Sequence, residues 1–474
     1  MVAQGNLDPL VQVRILIPEH NKEKMNNISA VILAAGEGTR MKSSVPKVLH
    51  PVCGKPMVSW VLESVGGLKP QGIKLVVGHQ ADAVKKNVTG GNISFVEQKK
   101  QLGSGHALLQ AEQKLKHWHG SVLVMCADTP LIKTETLSVL LNFHRREQNA
   151  ATVLTVINEN PFGYGRIIRS PLGQVEKIVE EKDASREIKK IKEVNSGIYC
   201  FESPLIWDIL KKIKADNAKK EYYLTDAISI LNALGKKVGG CSICGTDEVM
   251  GVNSRVELAR AEAAKRRDIL EGFMLAGVTI TDPSNTYISS EARIGSDTVI
   301  LPGTMIEGKS SIGSGCRIGP FTVISDCRLG DSIEARSAYI YGSTIGDGAK
   351  IGPFTHIRPG TVIKKNVRVG NFSEIKKSIL EDGSKVNHLT YIGDSSIGKS
   401  VNIGAGTITC NYDGVKKSRT VIGDGSFIGS NVNFVAPVRI GKDALIAAGS
   451  TITEDVPSKA LAIARARQVN KLKK

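Results

Sequence analysis

Aromatic side chains make up only 5% of this 474-residue chain, and just 3 of them are tryptophan. Trp60, Trp118 and Trp207 all lie in the first half, so the chain divides by composition alone. No run of about eighteen apolar residues occurs, which excludes a membrane-spanning helix. The first 28 residues carry internal charges (Arg14, Glu19, Lys22, Glu23, Lys24) and lack the apolar block of a signal peptide. They are expected to form a flexible extension, with Met25 as an alternative natural start. The 8 cysteines show no framework spacing, so reduced thiols and a cytoplasmic setting are expected. Cys241 and Cys244 form one C-x-x-C without a second pair, which argues against zinc. Also missing is any nucleic-acid-binding motif, although the net charge is +17. Basic residues are dispersed apart from a tail at Arg465, Arg467, Lys471, Lys473 and Lys474. Small phosphorylated substrates account for that charge as well as nucleic acid does, and a solvated basic surface without function is the third reading; nucleic acid is not expected as a partner.

What is present is a beat. Ile294, Ile300, Ile306, Ile312, Ile318 and Ile324 recur every six positions, as do Ile345 to Ile375 and Ile422 to Ile452. A period of six fits neither an amphipathic helix nor an alternating strand. It fits a parallel β-helix of hexapeptides whose aliphatic residue points inward. Gly295, Gly313, Gly319, Gly346, Gly352, Gly370, Gly404, Gly423, Gly429 and Gly441 follow the beat residue, where they are expected to supply left-handed corners. The polar segment from Asn411 to Arg419 interrupts the beat and is expected to leave the coil as a loop.

Residues 29–252 read differently. Apolar runs at Ser29–Leu33, Ile73–Val77, Ser121–Met125 and Thr152–Ile157 alternate with helical stretches at Met57–Val65, His106–Leu115 and Thr134–Phe143. That alternation predicts an α/β fold around a mostly parallel sheet. Ser254–Leu275, rich in Ala, Glu, Arg and Leu, predicts a long linking helix. The expected organisation is an extension (1–28), an α/β domain (29–252), a linker helix (253–276) and a β-helix with a basic tail (277–474).

The most specific local motif is LAAGEGTRM, Leu33 to Met41, followed by Pro46 and Lys47. Gly36 and Gly38 fall at a strand-to-loop turn, where backbone N–H groups can approach phosphate oxygens. Arg40 and Lys47 add positive charge. The motif is neither a Walker A loop nor a dinucleotide G-x-G-x-x-G, because residue 41 is methionine.

This stretch resembles the signature of sugar-1-phosphate nucleotidyltransferases. Joined to hexapeptide repeats, the chain resembles the bifunctional N-acetylglucosamine-1-phosphate uridyltransferase/glucosamine-1-phosphate acetyltransferases from Ile28 to Arg467. The resemblance implies a Rossmann-like nucleotidyltransferase domain joined by a long helix to a left-handed parallel β-helix, assembled as a homotrimer. It implies that Leu33, Ala34, Ala35, Gly36 and Lys47 hold the nucleotide, and that Gln98, Gly103 and Ser104 read the uracil. Asp128 and Asn253 would bind Mg²⁺, for which two protein oxygens suffice when phosphate and water complete the octahedron. Gly165, Glu180 and Asn195 match sugar-binding positions. Two departures stand out: Glu37 where a lysine is frequent, and Cys126–Ala127 in place of an aromatic–glycine pair lining the same substrate site.

The implied chemistry is attack of a sugar phosphate oxygen on the α-phosphorus of UTP, with Arg40 and Lys47 offsetting charge on the departing pyrophosphate. On the repeats, the resemblance gives Arg358 and Lys376 to the phosphate of glucosamine 1-phosphate, and Tyr391 and Asn402 to its sugar. His388 would be the general base toward acetyl-CoA, oriented or polarised by Glu374. Ala405 would face the oxyanion through its N–H, while Asn411, Tyr412, Ser430, Ala448 and Arg465 would contact acetyl-CoA. His356 and the seven remaining histidines are read as exposed loop residues. The other reading is a single-activity nucleotidyltransferase with a regulatory coil. His388, Lys376 and the Asn411–Asp413 loop argue against it, because a passive coil does not need them.

Overall fold

The computed structural model describes residues 27–473; the expected extension, with His20 and Met25, lies outside them apart from its last two residues. The chain divides between Ala261 and Glu262 into two compact units.

In the first unit, nine strands form one sheet, seven of them in the spatial order Val238–Ile243, Ala151–Ile157, Glu193–Ser203, Gly120–Cys126, Ile28–Ala34, Gly72–Val77 and Ile93–Glu97. Glu193–Ser203 runs antiparallel to both neighbours in this order, and the other pairings among the seven are parallel. The antiparallel pair Arg166–Arg169 and Val175–Val179 joins the sheet through Glu193–Ser203. Alternation along Ile28–Ala34 explains why this strand is apolar apart from the buried Ser29. Ile28, Ala30, Ile32 and Ala34 join a cluster with Val58, Val61 and Leu140 from the helices Met57–Gly67 and Thr134–Arg146. Val31 joins a second cluster with Leu108, Trp207 and Ile228. A sheet covered on both faces has no polar side to show. The stretch expected as one helix, His106–Leu115, is two pieces, Ser104–Leu109 and Glu112–Leu115.

Two histidines expected at the surface are buried here. His144 is 1% exposed, its ring between Thr152 Oγ1 (2.8 Å) and Glu202 Oε1 (2.9 Å), and His50 is 5% exposed. Single-residue reading missed them because both imidazoles sit on apolar segments that fold inward.

The second unit is a left-handed parallel β-helix of three sheets with 11, 10 and 9 strands. Ile300 pairs with Ile318, Ile306 with Ile324 and Ile294 with Ile312, so three hexads close one coil. Most beat residues are buried, including Ile300, Ile318, Ile375 and Phe434 at 0% exposure. Two positions before the beat runs a second buried column of small residues, among them Thr298, Thr304, Ser310, Thr322 and Ser384. Several of their hydroxyls bond backbone carbonyls, as Thr298 Oγ1 does to Gly313 O at 2.9 Å. The gap between the first two runs has shortened corners: Leu329, Ala335 and Ile340 stay buried and in register although three of the four steps from Ile324 to Ile345 are five residues long. At Asn411–Arg419 the chain does leave the coil, and pairing resumes from Ser395 to Thr420.

The glycine expectation needs correction. Of the ten glycines behind the beat, only Gly319 and Gly352 have positive φ. The left-handed corners lie further on, at Asp297, Gly303, Asn366 and Asn431, for example. Most of the ten serve close approach of successive coils instead: a Cβ on Gly423 would stand 2.7 Å from Lys442 N, and one on Gly346 2.9 Å from Lys364 C. Where glycine stands behind the beat, the next coil is pressed against it.

Candidate active sites

The C-terminal end of strand Ile28–Ala34 opens into a cavity of about 450 Å³, as expected at the carboxyl edge of an open α/β sheet. Leu33, Ala34, Ala35 and Gly36 line it with Lys47, and Gln98, Gly103, Ser104, Cys126 and Asp128 complete the side reached from neighbouring strands. Gly38 makes the loop possible. Its φ is +64°, and a Cβ there would stand 2.6 Å from the Lys47 Cβ. Arg40 is exposed in the turn that follows and is not a lining residue.

Lys47 Nζ lies 2.5 Å from Asp128 Oδ2 and 3.1 Å from Asn253 Oδ1. Two oxygens from distant loops therefore converge on one positive charge. Backbone bonds fix their positions: Val252 N–H donates to Asp128 O at 2.8 Å, and Ala127 N–H to Leu33 O at 2.9 Å. Glu257 Oε2 accepts from the Asn253 backbone N–H at 2.7 Å, and the Asn253 side-chain Nδ2 donates to Gly251 O at 3.4 Å, leaving Oδ1 toward Lys47. A carboxylate and an amide oxygen meeting at one cation suit Mg²⁺ as a partial donor set. No group of three or more His, Cys, Asp or Glu able to hold a metal occurs among the described residues, so phosphate and water would supply the remaining ligands.

Gln98 is 3% exposed, and its Nε2 meets Gly103 O at 3.2 Å and His106 Nδ1 at 2.9 Å. His106 thus orients the amide expected to read the base, a role unseen in the sequence. Burial holds the His106 pKa below the ordinary histidine value, so the ring is neutral near pH 7. Gly165, Glu180 and Asn195 form a second group that does not line the cavity itself. Asn195 N–H donates to Gly165 O at 2.9 Å, and a Cβ on Gly165 would lie 3.5 Å from Glu180 Oε1. Tyr199 accepts from Asn195 Nδ2 at 2.7 Å, and Thr225 Oγ1 donates to Glu180 Oε1 at 3.3 Å. Burial raises the Glu180 carboxyl above its usual range. Burial, then the Asp128 charge, push the Cys126 thiol up to about 12, so this departure leaves a neutral lining.

On the β-helix, residues two places after the beat stack along one corner. Asn371 pairs with His388 across adjacent rungs, Ala405 O accepts from Asn431 N–H (2.7 Å), and Ser430 O from Gly449 N–H (2.8 Å). Arg465 Nη1 closes the column by donating to Ala448 O at 2.7 Å. His388, Ala405, Ser430 and Ala448 are thus successive members of one line, about 4.8 Å apart. His388 Nδ1 lies 2.8 Å from Asn371 Oδ1. Because an amide oxygen only accepts, Nδ1 carries the proton, and the lone pair of the neutral ring is on Nε2. Among the described residues, no acceptor lies against the Ala405 N–H.

The ten-strand face holds the remaining charges. Arg358 Nη1 is 2.9 Å from Glu374 Oε1, so the structure sets Glu374 against the arginine and Asn371 against the histidine. Lys376 Nζ lies 3.4 Å from Asp394 Oδ2, which also accepts from Asn411 Nδ2. Lys417 comes against Lys376, and the like charge beside it holds the Lys417 pKa below the ordinary lysine value. Tyr391 packs over Gly393, where a Cβ would stand 2.5 Å from its hydroxyl. Tyr412 is exposed on the excursion, its hydroxyl donating to Gly414 O at 2.5 Å. Asn402 lies on the eleven-strand face between Lys385 and Phe427, apart from the Arg358–Lys376 group. Asn371, Asp394 and Lys417 were missed in the sequence. The signal for the first two was available: each lies about one coil from a residue already singled out.

A model of the MobA-like NTP transferase domain matches residues 30–194, and the bacterial transferase hexapeptide (six repeats) matches 291–326, 342–377 and 419–454. The chain is similar to the bifunctional protein GlmU of Halalkalibacterium halodurans, with 52% identity covering 94% of this chain and 98% of that one. The namesake from Pelobacter propionicus is 49% identical over 94% and 98%. That from Caldanaerobacter subterraneus subsp. tengcongensis is 53% identical over 94% and 97%.

Proposed function

This chain belongs to the family of the bifunctional GlmU proteins, and from that premise we propose how its two sites make UDP-N-acetylglucosamine. The repeats acetylate glucosamine 1-phosphate from acetyl-CoA, and the α/β unit then transfers UMP from UTP to the product, releasing pyrophosphate.

In the first step, Arg358, Lys376 and Lys417 receive the sugar phosphate, with Asp394 keeping Lys376 and Asn411 in place. His388 Nε2 takes a proton from the 2-amino group as its nitrogen attacks the thioester carbon. The Ala405 N–H faces the oxyanion, the C–S bond breaks, and coenzyme A leaves as the thiol. Ser430, Ala448 and Arg465 prolong the His388 column as a track for acetyl-CoA, with Tyr412 at its side. Tyr391 and Asn402 contact the sugar. Since they belong to different faces of the coil, facing copies of the chain would bring them together, and a homotrimer is the assembly proposed. Light scattering should then give about three times the 50.9 kDa chain mass.

In the second step, Gln98 and the backbone at Gly103–Ser104 read the uracil edge, while Gly36 and Gly38 offer N–H groups to the phosphates. Gly165, Glu180 and Asn195 hold the sugar so that its phosphate oxygen is in line with the α-phosphorus. Arg40 and Lys47 offset the charge growing on pyrophosphate. Held by Asp128 and Asn253, Mg²⁺ would add Lewis-acid stabilisation of the same charge. A cytoplasmic setting follows from the substrates.

The observation that carries this reading is the His388 column, because a passive coil has no use for a tautomer-fixed imidazole in line with a free N–H. Incubation with glucosamine 1-phosphate, acetyl-CoA, UTP and Mg²⁺ should release coenzyme A thiol and pyrophosphate and form UDP-N-acetylglucosamine. Uridyltransfer to ready-made N-acetylglucosamine 1-phosphate without thiol release from the unacetylated sugar would leave only the single-activity alternative.

A further inference from the structure

At the N-terminal ends of strands Ile28–Ala34 and Gly72–Val77, opposite the nucleotide loop, the first unit has a cavity of about 280 Å³. It shares no lining residue with the nucleotide cavity. One strand length of about 3.3 Å per residue separates the two, roughly 20 Å. Ser29 and Gly72 pair at its base, and Lys74, Lys114, His117 and Trp118 also line it. A Cβ on Gly72 would stand 2.9 Å from Lys74 Nζ, so the ammonium folds back over a bare glycine. Burial, then the charge of Lys114, hold the Lys74 pKa below the ordinary lysine value. The Trp118 Nε1 is buried and has no acceptor among the described residues. No carboxylate is among the described lining residues.

Two ammonium groups brought together, one of them desolvated, are unfavourable unless an anion joins them. The orphaned indole N–H adds a directional donor of the same preference. We infer that this cavity binds a phosphate group, either as inorganic phosphate or as the phosphate end of a small metabolite. Doubly charged phosphate matches two ammonium groups, and its several acceptor oxygens can take the indole N–H as well, which a single carboxylate serves less fully.

The test uses the full chain labelled with 5-fluorotryptophan, whose 3 tryptophans give separate fluorine resonances. Loss of one signal in Trp118→Phe assigns the reporter. Inorganic phosphate and glucosamine 1-phosphate are titrated separately at constant ionic strength set with chloride. A saturable shift of the Trp118 resonance is expected with at least one of them, and the tighter of the two identifies the source. It should persist in Lys47→Ala, which removes the nucleotide cavity's phosphate cation. In Lys74→Gln/Lys114→Gln, binding should weaken at least about tenfold, while uridyltransfer and the Trp60 and Trp207 resonances are kept. No saturable shift by either ligand overturns the site, as does an equal response in the double variant or to chloride alone.

Discussion

The two units bring polar groups together over very different lengths of chain. In the α/β unit, Lys47 meets Asp128 across 81 residues and Asn253 across 206. On the coil, Arg358 meets Glu374 across 16 residues, Asn371 meets His388 across 17, and Lys376 meets Asp394 across 18. A repeat converts sequence spacing into contact, so its site can be extended by adding one coil to any known residue. An open sheet offers no such rule, because the crossover lengths between strands are unequal. The coil's site is therefore regular and brittle, whereas the sheet's site depends on loops that can be altered one at a time.

Stability separates the units first. Phe434→Ala, which empties a fully buried rung, should destabilise the repeats by about 3–5 kcal/mol. All 3 tryptophans lie in the first unit, so urea unfolding followed by fluorescence should stay in place while far-UV circular dichroism loses strand signal earlier. A joint shift of both probes would mean that the units unfold together. Next in size is Gly38→Val, which strains a left-handed loop residue and presses on Lys47, at about 1–3 kcal/mol. Uridyltransfer should fall with it and acetyltransfer should not.

Smaller again is Asn371→Ala. Freeing the imidazole from its partner should lower acetyltransfer about tenfold and change its pH profile, with uridyltransfer untouched. A loss of rate at unaltered pH dependence would point to general damage at the corner rather than to the tautomer.

Legibility followed the same divide. The beat was readable because an inward-facing coil position admits one kind of side chain, and the apolar strands were readable because both faces of the sheet are covered. The five-residue corners were not, since Leu329 and Ile340 keep the register only when the coil is closed in space. The glycines were seen but misread: their meaning lies in the backbone of the next coil, which a single hexad does not contain. His106, Tyr199 and Thr225 were invisible because each supports a recognised residue through a side-chain contact that the spacing of the sequence does not announce. His50 and His144 show the converse, polar residues whose burial rests on partners and packing far along the chain.

The claim that one chain carries two separate chemical centres is tested most directly by assaying Asp128→Ala and His388→Ala side by side in both half-reactions. Asp128→Ala should lose uridyltransfer by roughly 10³-fold and acetylate glucosamine 1-phosphate at the normal rate. His388→Ala should lose acetyltransfer by about 10² to 10⁴-fold and keep uridyltransfer. If either variant lost both activities while still folded, or neither lost its own, the division of labour drawn from the geometry would be wrong.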